Sequence, residues 1–207
     1  MEILKKTIVT VALYLLPAVI VNAQDAKVLQ AAFSSSYTHE ANAEYSKAIE
    51  TLKGVYTADS YELNLRLGWL HYLSGLFTES STYYNKAISL MPYAIEARFG
   101  VVYPEAALGN WDKVKNHYLE ILKVDGSNTL ANYRLGLIYY GKEDYNAAIK
   151  CFEKNVNLYP FDYDSVLMFA WTNFKLGKTR EAKVLFNKVL LIKPGDTSAI
   201  DGLSLIK

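Results

Sequence analysis

The sequence predicts an all-α fold, an α-solenoid of about five stacked helix–turn–helix pairs closed by a C-terminal capping helix. Three observations predict it. A period of 34 residues runs through most of the chain, apolar residues inside each period recur at helical spacing, and Pro or Gly recurs where one unit meets the next. A single helical pair cannot bury both of its faces, so we expect stacked pairs to share one core.

The period is clearest in two short segments of the sequence. "RLGWLHY" at residues 66–72 and "RLGLIYY" at residues 134–140 are nearly identical, and their starts lie 68 residues apart, which is two periods. This register predicts four repeats, at residues 61–94, 95–128, 129–162 and 163–196. The twenty-fourth place of every repeat is a large aromatic residue, and the four are Tyr84, Tyr118, Phe152 and Phe186. We expect these rings to be wedges between layers.

The third repeat shows the helical spacing. Its apolar positions form two periodic segments, separated by "GKED" at residues 141–144. Small residues such as Gly136 and Ala148 allow the two helices of the pair to approach closely. One local conflict occurs in the second repeat, where Pro104 falls inside a predicted first helix. Because proline lacks the backbone donor and clashes with the carbonyl four residues earlier, we expect a kink or break near residues 100–104.

Both ends of the array are atypical. Residues 24–60 predict a degenerate N-terminal helical pair, with its second helix within 41–56. Residues 197–207 predict a lone capping helix, with Thr197 or Ser198 as its N-cap. Such a terminal helix would cover the last apolar face of the stack.

The 34-residue unit resembles the tetratricopeptide repeat (TPR). Leu67-Gly68 and Leu135-Gly136 stand at places seven and eight, where the family has Leu-Gly, and residues 129–162 fit best. The leading tryptophan of the family is absent, and its tyrosine at place eleven occurs only as Tyr139. The resemblance covers residues 61–196. It implies a right-handed solenoid in which the first helix of each unit lines a concave inner wall.

The first 23 residues predict a cleaved signal peptide. Lys5 and Lys6 precede an apolar run from Ile8 to Val21, and small residues end the segment at Ala23. The run has 14 residues and contains a proline, so it is shorter than the roughly 20 residues that span a bilayer. We therefore expect a periplasmic or secreted protein, with no integral membrane segment after cleavage.

The charge balance argues against nucleic acid as a partner. Without residues 1–23 the chain has 20 basic and 20 acidic residues, whereas nucleic-acid binding depends on an excess of Lys and Arg. No catalytic or metal-ligand pattern is present, because the three histidines are far apart in sequence. Cys151 is the only cysteine and is interpreted as a small buried hydrophobe. The sequence thus predicts neither an enzyme, nor a metal site, nor a cofactor.

The resemblance also implies a binding groove. Carrying the family's inner-wall places onto this chain gives ten residues: Arg66, Trp69, Tyr72, Phe99, Tyr103, Tyr133, Arg134, Tyr140, Trp171 and Phe174. These aromatic rings either fill the space between first helices or form an exposed platform for a partner. The third tryptophan, Trp111, falls at place seventeen and is interpreted as packing.

Two functions fit this pattern. The first is a non-enzymatic scaffold or adaptor of the bacterial envelope that binds a segment of another envelope or secreted protein in the aromatic groove. The alternative is a protein that binds a glycan or small molecule on stacked groove aromatics. A fold of this type does not decide between them.

Overall fold

The computed structural model describes residues 23–206 and contains eleven α-helices and no strand in that part of the chain. The helices are α1 (Ala23–Ala41), α2 (Tyr45–Lys53), α3 (Tyr61–Leu73), α4 (Phe77–Leu90), α5 (Glu96–Ala107), α6 (Trp111–Val124), α7 (Thr129–Gly141), α8 (Tyr145–Leu158), α9 (Tyr163–Lys175), α10 (Thr179–Ile192) and α11 (Thr197–Leu205). The predicted signal peptide lies outside the described residues, apart from Ala23.

Each helix packs mainly on its neighbours in sequence. α1 pairs with α2, and the same holds for α3 with α4, α5 with α6, α7 with α8, and α9 with α10, while α11 covers α10 and α9. This is the contact pattern of a repeat array, in which each unit touches only the adjacent units. It confirms the predicted all-α solenoid of five pairs and a capping helix. No helix between residues 23 and 206 combines the length and the apolar character that a membrane span requires.

Side-chain caps determine where several first helices begin. Ser60, Asn128, Asp162 and Asp196 each accept a hydrogen bond from the backbone N–H three residues later, which satisfies a donor that the helix leaves free. For α11 the cap is therefore Asp196, one residue before the predicted Thr197 or Ser198. Its carboxylate also accepts a hydrogen bond from the hydroxyl of Tyr163, so the cap links α11 to α9.

The turn inside each pair contains a residue with a left-handed backbone conformation. Gly75, Gly109 and Gly177 have φ between 73° and 75° at the same place of their units. Glu143 occupies that place in the third unit with φ of 60°. The first pair turns in the same way through Ala43, with φ of 57°. α2 therefore begins at Tyr45 and ends at Lys53, within the predicted segment 41–56.

The aromatic residues at place twenty-four form the centre of the core. Tyr84, Tyr118, Phe152 and Phe186 are all buried. The ring of Tyr84 lies against Gly68 of its own unit and Gly100 of the next, which is the wedge position that the repeat predicts. A Cβ at Gly100 would stand 2.2 Å from this ring, so the ring contact requires glycine there.

The predicted break at Pro104 does not occur. α5 continues as an α-helix from Glu96 to Ala107, with Pro104 buried inside it. The proline lies within the last turn of the helix, where only a few residues follow, and the backbone N–H of Leu108 still bonds to its carbonyl at 3.0 Å. The residue four positions earlier is Gly100, whose backbone is the most adaptable.

Candidate partner-binding groove

A cleft of about 830 Å³ opens between α5 and α7, with α6 as its floor. We call it the aromatic cleft. Its lining is mainly apolar and comprises Tyr72, Phe99, Val102, Tyr103, Ala106, Ala107, Trp111, Val114, Tyr118, Leu130, Arg134, Leu137, Ile138, Gly141 and Lys142. Its volume lies in the range that small-molecule and peptide side-chain sites occupy.

The cleft exists because successive first helices are not equally close. α3 and α5 pack directly on each other, with Tyr84 held between Gly68 and Gly100. Between α5 and α7 the corresponding space is the cleft, and the buried side chains of Val114 and Tyr118 form its base. The edge of the Phe99 ring meets the Tyr118 ring at a centroid distance of 6.3 Å. The base is therefore packed, and the cleft is preformed.

Aromatic rings continue from the cleft onto α3. The rings of Tyr72 and Tyr103 lie 5.5 Å apart, and Trp69 lies 5.7 Å from Tyr72 and 6.3 Å from Tyr103. Tyr103 is 52% exposed, and Trp111 on the opposite rim is 53% exposed. Two large rings thus face solvent at the mouth of one apolar cleft. This exposure of Trp111 differs from its interpretation as a packing residue.

Four of the ten predicted groove residues line the aromatic cleft: Tyr72, Phe99, Tyr103 and Arg134. The sequence missed Trp111 because place seventeen begins a second helix, α6. The opening between α5 and α7 brings that rim into the cleft, which is a tertiary effect. No local pattern in the sequence indicates it.

Arg66 has an intramolecular role. It is buried on α3, where its Nε bonds to Ser36 Oγ at 3.3 Å and its guanidinium pairs with Glu40. The guanidinium also stacks over the Tyr37 ring at 3.8 Å. These contacts attach α1 to α3, so Arg66 is occupied by the N-terminal helix.

The two candidate tryptophans hold the terminal helices. Trp69 Nε1 donates to Glu40 Oε1 of α1 at 2.7 Å, and Trp171 Nε1 donates to Ser198 Oγ of α11 at 2.9 Å. Trp171 also packs edge-on against Phe186, with ring centroids 5.0 Å apart. Both indoles are half-buried. Their packing favours the first of the two interpretations, in which the rings fill space.

The other three predicted residues lie outside the aromatic cleft. Tyr140 packs on Tyr145 at 5.2 Å, Phe174 packs on Trp171 at 5.8 Å, and Tyr133 lies in a second recess beside Leu130. The predicted groove is therefore not one continuous surface of ten residues. Its middle part forms the cleft, whereas Arg66 and Trp69 contact α1 and Trp171 contacts α11.

Two cations border the aromatic cleft, and they differ in their partners. Lys142 Nζ is 3.0 Å from Asp112 Oδ1, an exposed ion pair. The exposed guanidinium of Arg134 has no carboxylate within 4 Å among residues 25–206. Burial raises the pKa of Tyr118, and the positive charge of Arg134 opposes that rise, so Arg134 acts electrostatically on the cleft floor.

Three titratable groups outside the aromatic cleft have shifted pKa values with structural causes. Burial lowers the pKa of His71, whose Nδ1 lies 2.7 Å from the Leu67 carbonyl. Burial alone would raise the pKa of Glu105, but hydrogen bonds from Ser81 and Asn110 outweigh it, so the pKa lies below its ordinary value. Burial raises the pKa of Cys151 to about 11, which makes the thiolate scarce at neutral pH.

The described side chains also include no cluster of three or more His, Cys, Asp or Glu residues that could hold a metal ion. The arrangement offers apolar contact area and a free cation.

Comparisons with known structures agree on the architecture. A tetratricopeptide repeat protein from Parabacteroides merdae is 22% identical, with a TM-score of 0.73, covering 86% of this chain and 72% of that chain. The MamA protein is 19% identical, with a TM-score of 0.70, covering 81% of this chain and 93% of that one. At these identities the likeness shows the fold.

This chain is also similar to part of a longer curated protein. Anaphase-promoting complex subunit 7 of Arabidopsis thaliana is 23% identical over 180 residues, covering 84% of this chain and 32% of the relative. The chain therefore spans about a third of the length of that relative.

The repeat itself is matched three times. Residues 61–92, 130–162 and 163–196 match the tetratricopeptide repeat family, and α3–α4, α7–α8 and α9–α10 are the helical pairs within those ranges. The solenoid, the left-handed turns and the aromatic wedges belong to the same units. By these repeats and this fold, the chain belongs to the tetratricopeptide repeat family.

Proposed function

We propose that the protein is a non-enzymatic scaffold that binds a segment of a partner protein in the aromatic cleft. Its membership of the tetratricopeptide repeat family supports a role in protein–protein interaction in outline. The curated relative from Arabidopsis thaliana is named as a subunit of a complex, which agrees with an assembly function. The aromatic cleft is the site that we propose for the partner segment on this chain.

The observation that carries the proposal is the pair of exposed rings at the mouth of the aromatic cleft. Tyr103 and Trp111 are each more than half exposed, although the floor beneath them is buried. Aromatic residues over a well-packed apolar pocket are the typical anchor points of an interface. A preformed floor also reduces the ordering cost of binding. A partner segment would insert apolar side chains between the two rims and exclude water from them.

The double substitution Tyr103→Ala with Trp111→Ala tests this site. We expect it to weaken partner binding at least tenfold, because truncating interface anchors costs about 2 kcal/mol or more each. The folded state should change much less than binding, since each side chain is more than half exposed. Affinity capture from the native envelope fraction, compared by quantitative mass spectrometry with and without the substitutions, measures the effect.

The matched control is Tyr93→Ala with Val184→Ala. Both residues are exposed, at 84% and 68%, and neither lines the aromatic cleft. If the control and the cleft variant retain the same partners, the proposed site is wrong. Saturable binding of a glycan panel that depends on Tyr103 and Trp111, with no protein captured, would instead support the alternative of a glycan binder.

We also propose that the protein works in the bacterial periplasm or outside the cell, with another envelope or secreted protein as its partner. The n-region, apolar run and small residues of residues 1–23 support this location. Intact-mass analysis of the protein from its native host should give a chain that begins at Gln24. A chain that retains residues 1–23 and fractionates with the cytoplasm would contradict the proposal.

Trp171→Ala should separate packing from binding. We expect the free energy of unfolding to fall by about 2–4 kcal/mol, because the change removes the Phe186 contact and the hydrogen bond to Ser198. Partner binding should be retained at temperatures where the variant is folded, since Trp171 does not line the aromatic cleft. Chemical denaturation followed by circular dichroism gives the first quantity. Lost binding with unchanged stability would show that Trp171 belongs to a platform.

A further inference from the structure

A second recess adjoins the aromatic cleft and carries the opposite charge. This recess of about 650 Å³ lies between α7 and the turn from α8 to α9, and we call it the acidic recess. Its lining comprises Thr129, Leu130, Tyr133, Asn155, Leu158, Tyr159, Pro160, Phe161, Asp162, Asp164 and Ser165. Leu130 of α7 is 48% exposed and lines both hollows, so they meet along one helix.

The apolar character continues from one hollow into the other. Leu158, Tyr159 and Phe161 are 51%, 60% and 63% exposed, which is unusual for three large apolar residues close together in a turn. Tyr133 lies half-buried beneath them, with its ring against Phe152 at 6.0 Å. The acidic recess is therefore an apolar surface with a supported base, like the aromatic cleft.

The charges at the two hollows are of opposite sign. Asp164 is exposed, and no Lys, Arg or His of residues 25–206 lies within 4 Å of its carboxylate. Asp162 caps α9 by accepting from the Ser165 N–H at 2.9 Å. Its carboxylate, two residues before Asp164, lines the same recess and adds a second negative charge. On α7, four residues after Leu130, Arg134 is the cation of the aromatic cleft that has no carboxylate within 4 Å among residues 25–206.

The pKa of Tyr133 responds to charges from both hollows. Its pKa is raised first by burial and then by the negative charge of Asp164, while Arg134 acts in the opposite direction. The charges of Asp164 and Arg134 therefore both act on the Tyr133 phenol, in opposite directions. Asn155 also lines the recess and is only 3% exposed, and its Oδ1 has no hydrogen-bond partner within the described structure. Buried acceptors of this kind normally have a donor.

We propose that the partner segment is dipolar: it places a basic side chain at Asp164, apolar anchors along Leu130 and between Tyr103 and Trp111, and an acidic side chain at Arg134. The inference rests on the proposed function and specifies its ligand. Complementary charges at the two ends fix the register of the segment and exclude segments of a single charge. Leu130 and Arg134 are four residues apart on α7, about 6 Å along the helix axis, so a short extended segment reaches both.

Selection from a random library of displayed 12-residue peptides, on the purified protein, tests the proposal. The enriched peptides should carry aromatic or aliphatic residues between one Lys or Arg and one Asp or Glu. Arg134→Glu should shift the selected peptides to basic residues at both ends, and Asp164→Lys should shift them to acidic residues at both ends. Each reversal should weaken a synthetic peptide from the original selection roughly tenfold, by turning an attraction into a repulsion.

Lys150→Glu is the control, since Lys150 is exposed on α8 and lines neither hollow. It should leave the selected sequences and the peptide affinity unchanged. Peptides that depend on Tyr103 and Trp111 but show no charge pattern would overturn the dipolar ligand and leave the proposed function in place. Peptides that are indifferent to Tyr103 and Trp111, or no enrichment at all, would overturn both.

Discussion

Phe152→Ala should lower the free energy of unfolding by about 3–5 kcal/mol. Phe152 is fully buried, and its ring lies against Gly136 of α7 and beneath Tyr133. Removing the ring loses its transfer free energy and leaves a cavity that the two rigid helices cannot fill. A domain of this size is stable by about 5–15 kcal/mol, so the change removes a large part of the total.

Guanidinium denaturation followed by far-UV circular dichroism measures the loss. Val184→Ala on α10 is the matched control, because its side chain is 68% exposed and should contribute within about 0.5 kcal/mol. If the two variants were equally stable, the layer-to-layer wedge would not be a source of stability. If only Phe152→Ala lowered the free energy of unfolding, the aromatic residue at place twenty-four of the repeat would be a main source of stability.

The sequence predicts this wedge because it recurs. Phe152 and its three counterparts occupy one place in a 34-residue register, and each must meet the same helical neighbours in every unit. The turn glycines Gly75, Gly109 and Gly177 recur in the same register. Even Glu143, which breaks the pattern in composition, adopts the left-handed backbone of its counterparts.

The site is less predictable, because its features break the repeat. Arg66 stands at an inner-wall place, but α1 belongs to a degenerate pair and brings Glu40 and Tyr37 against it. Trp111 faces solvent because α5 and α7 separate around the aromatic cleft. Both results depend on how two particular units pack. A local pattern within one unit carries no information about that packing.

Gly100→Ala should destabilise the protein strongly, although it adds only one methyl group. The new Cβ would stand 2.2 Å from the Tyr84 ring, which is buried and confined on its other side by Gly68. Neither the ring nor the α3 backbone can move away cheaply, so α5 must shift. We expect the free energy of unfolding to fall by about 3 kcal/mol, at the upper end of the usual cost of overpacking.

Gly141→Ala is the control for the added methyl group. No atom of a neighbouring side chain lies within 4 Å of a Cβ built at Gly141, and the residue ends α7. Alanine has the higher helix propensity, so this change should leave the stability unchanged or raise it by up to about 1 kcal/mol. A loss comparable to that of Gly100→Ala would assign the effect to glycine itself and not to the ring contact.

The double variant Gly100→Ala with Tyr84→Leu separates steric conflict from simple loss of packing. Tyr84→Leu alone should destabilise, because it opens space at the α3–α5 contact. In the Gly100→Ala background the same change removes the clash, so the two costs should not add, and their coupling should favour the double variant by about 1–3 kcal/mol. Because Tyr103 and Phe99 flank Gly100 on α5, a shift of that helix would also move one wall of the aromatic cleft. Additive costs would mean that α5 is free to move away from Tyr84, and the cleft would then be adjustable and not preformed.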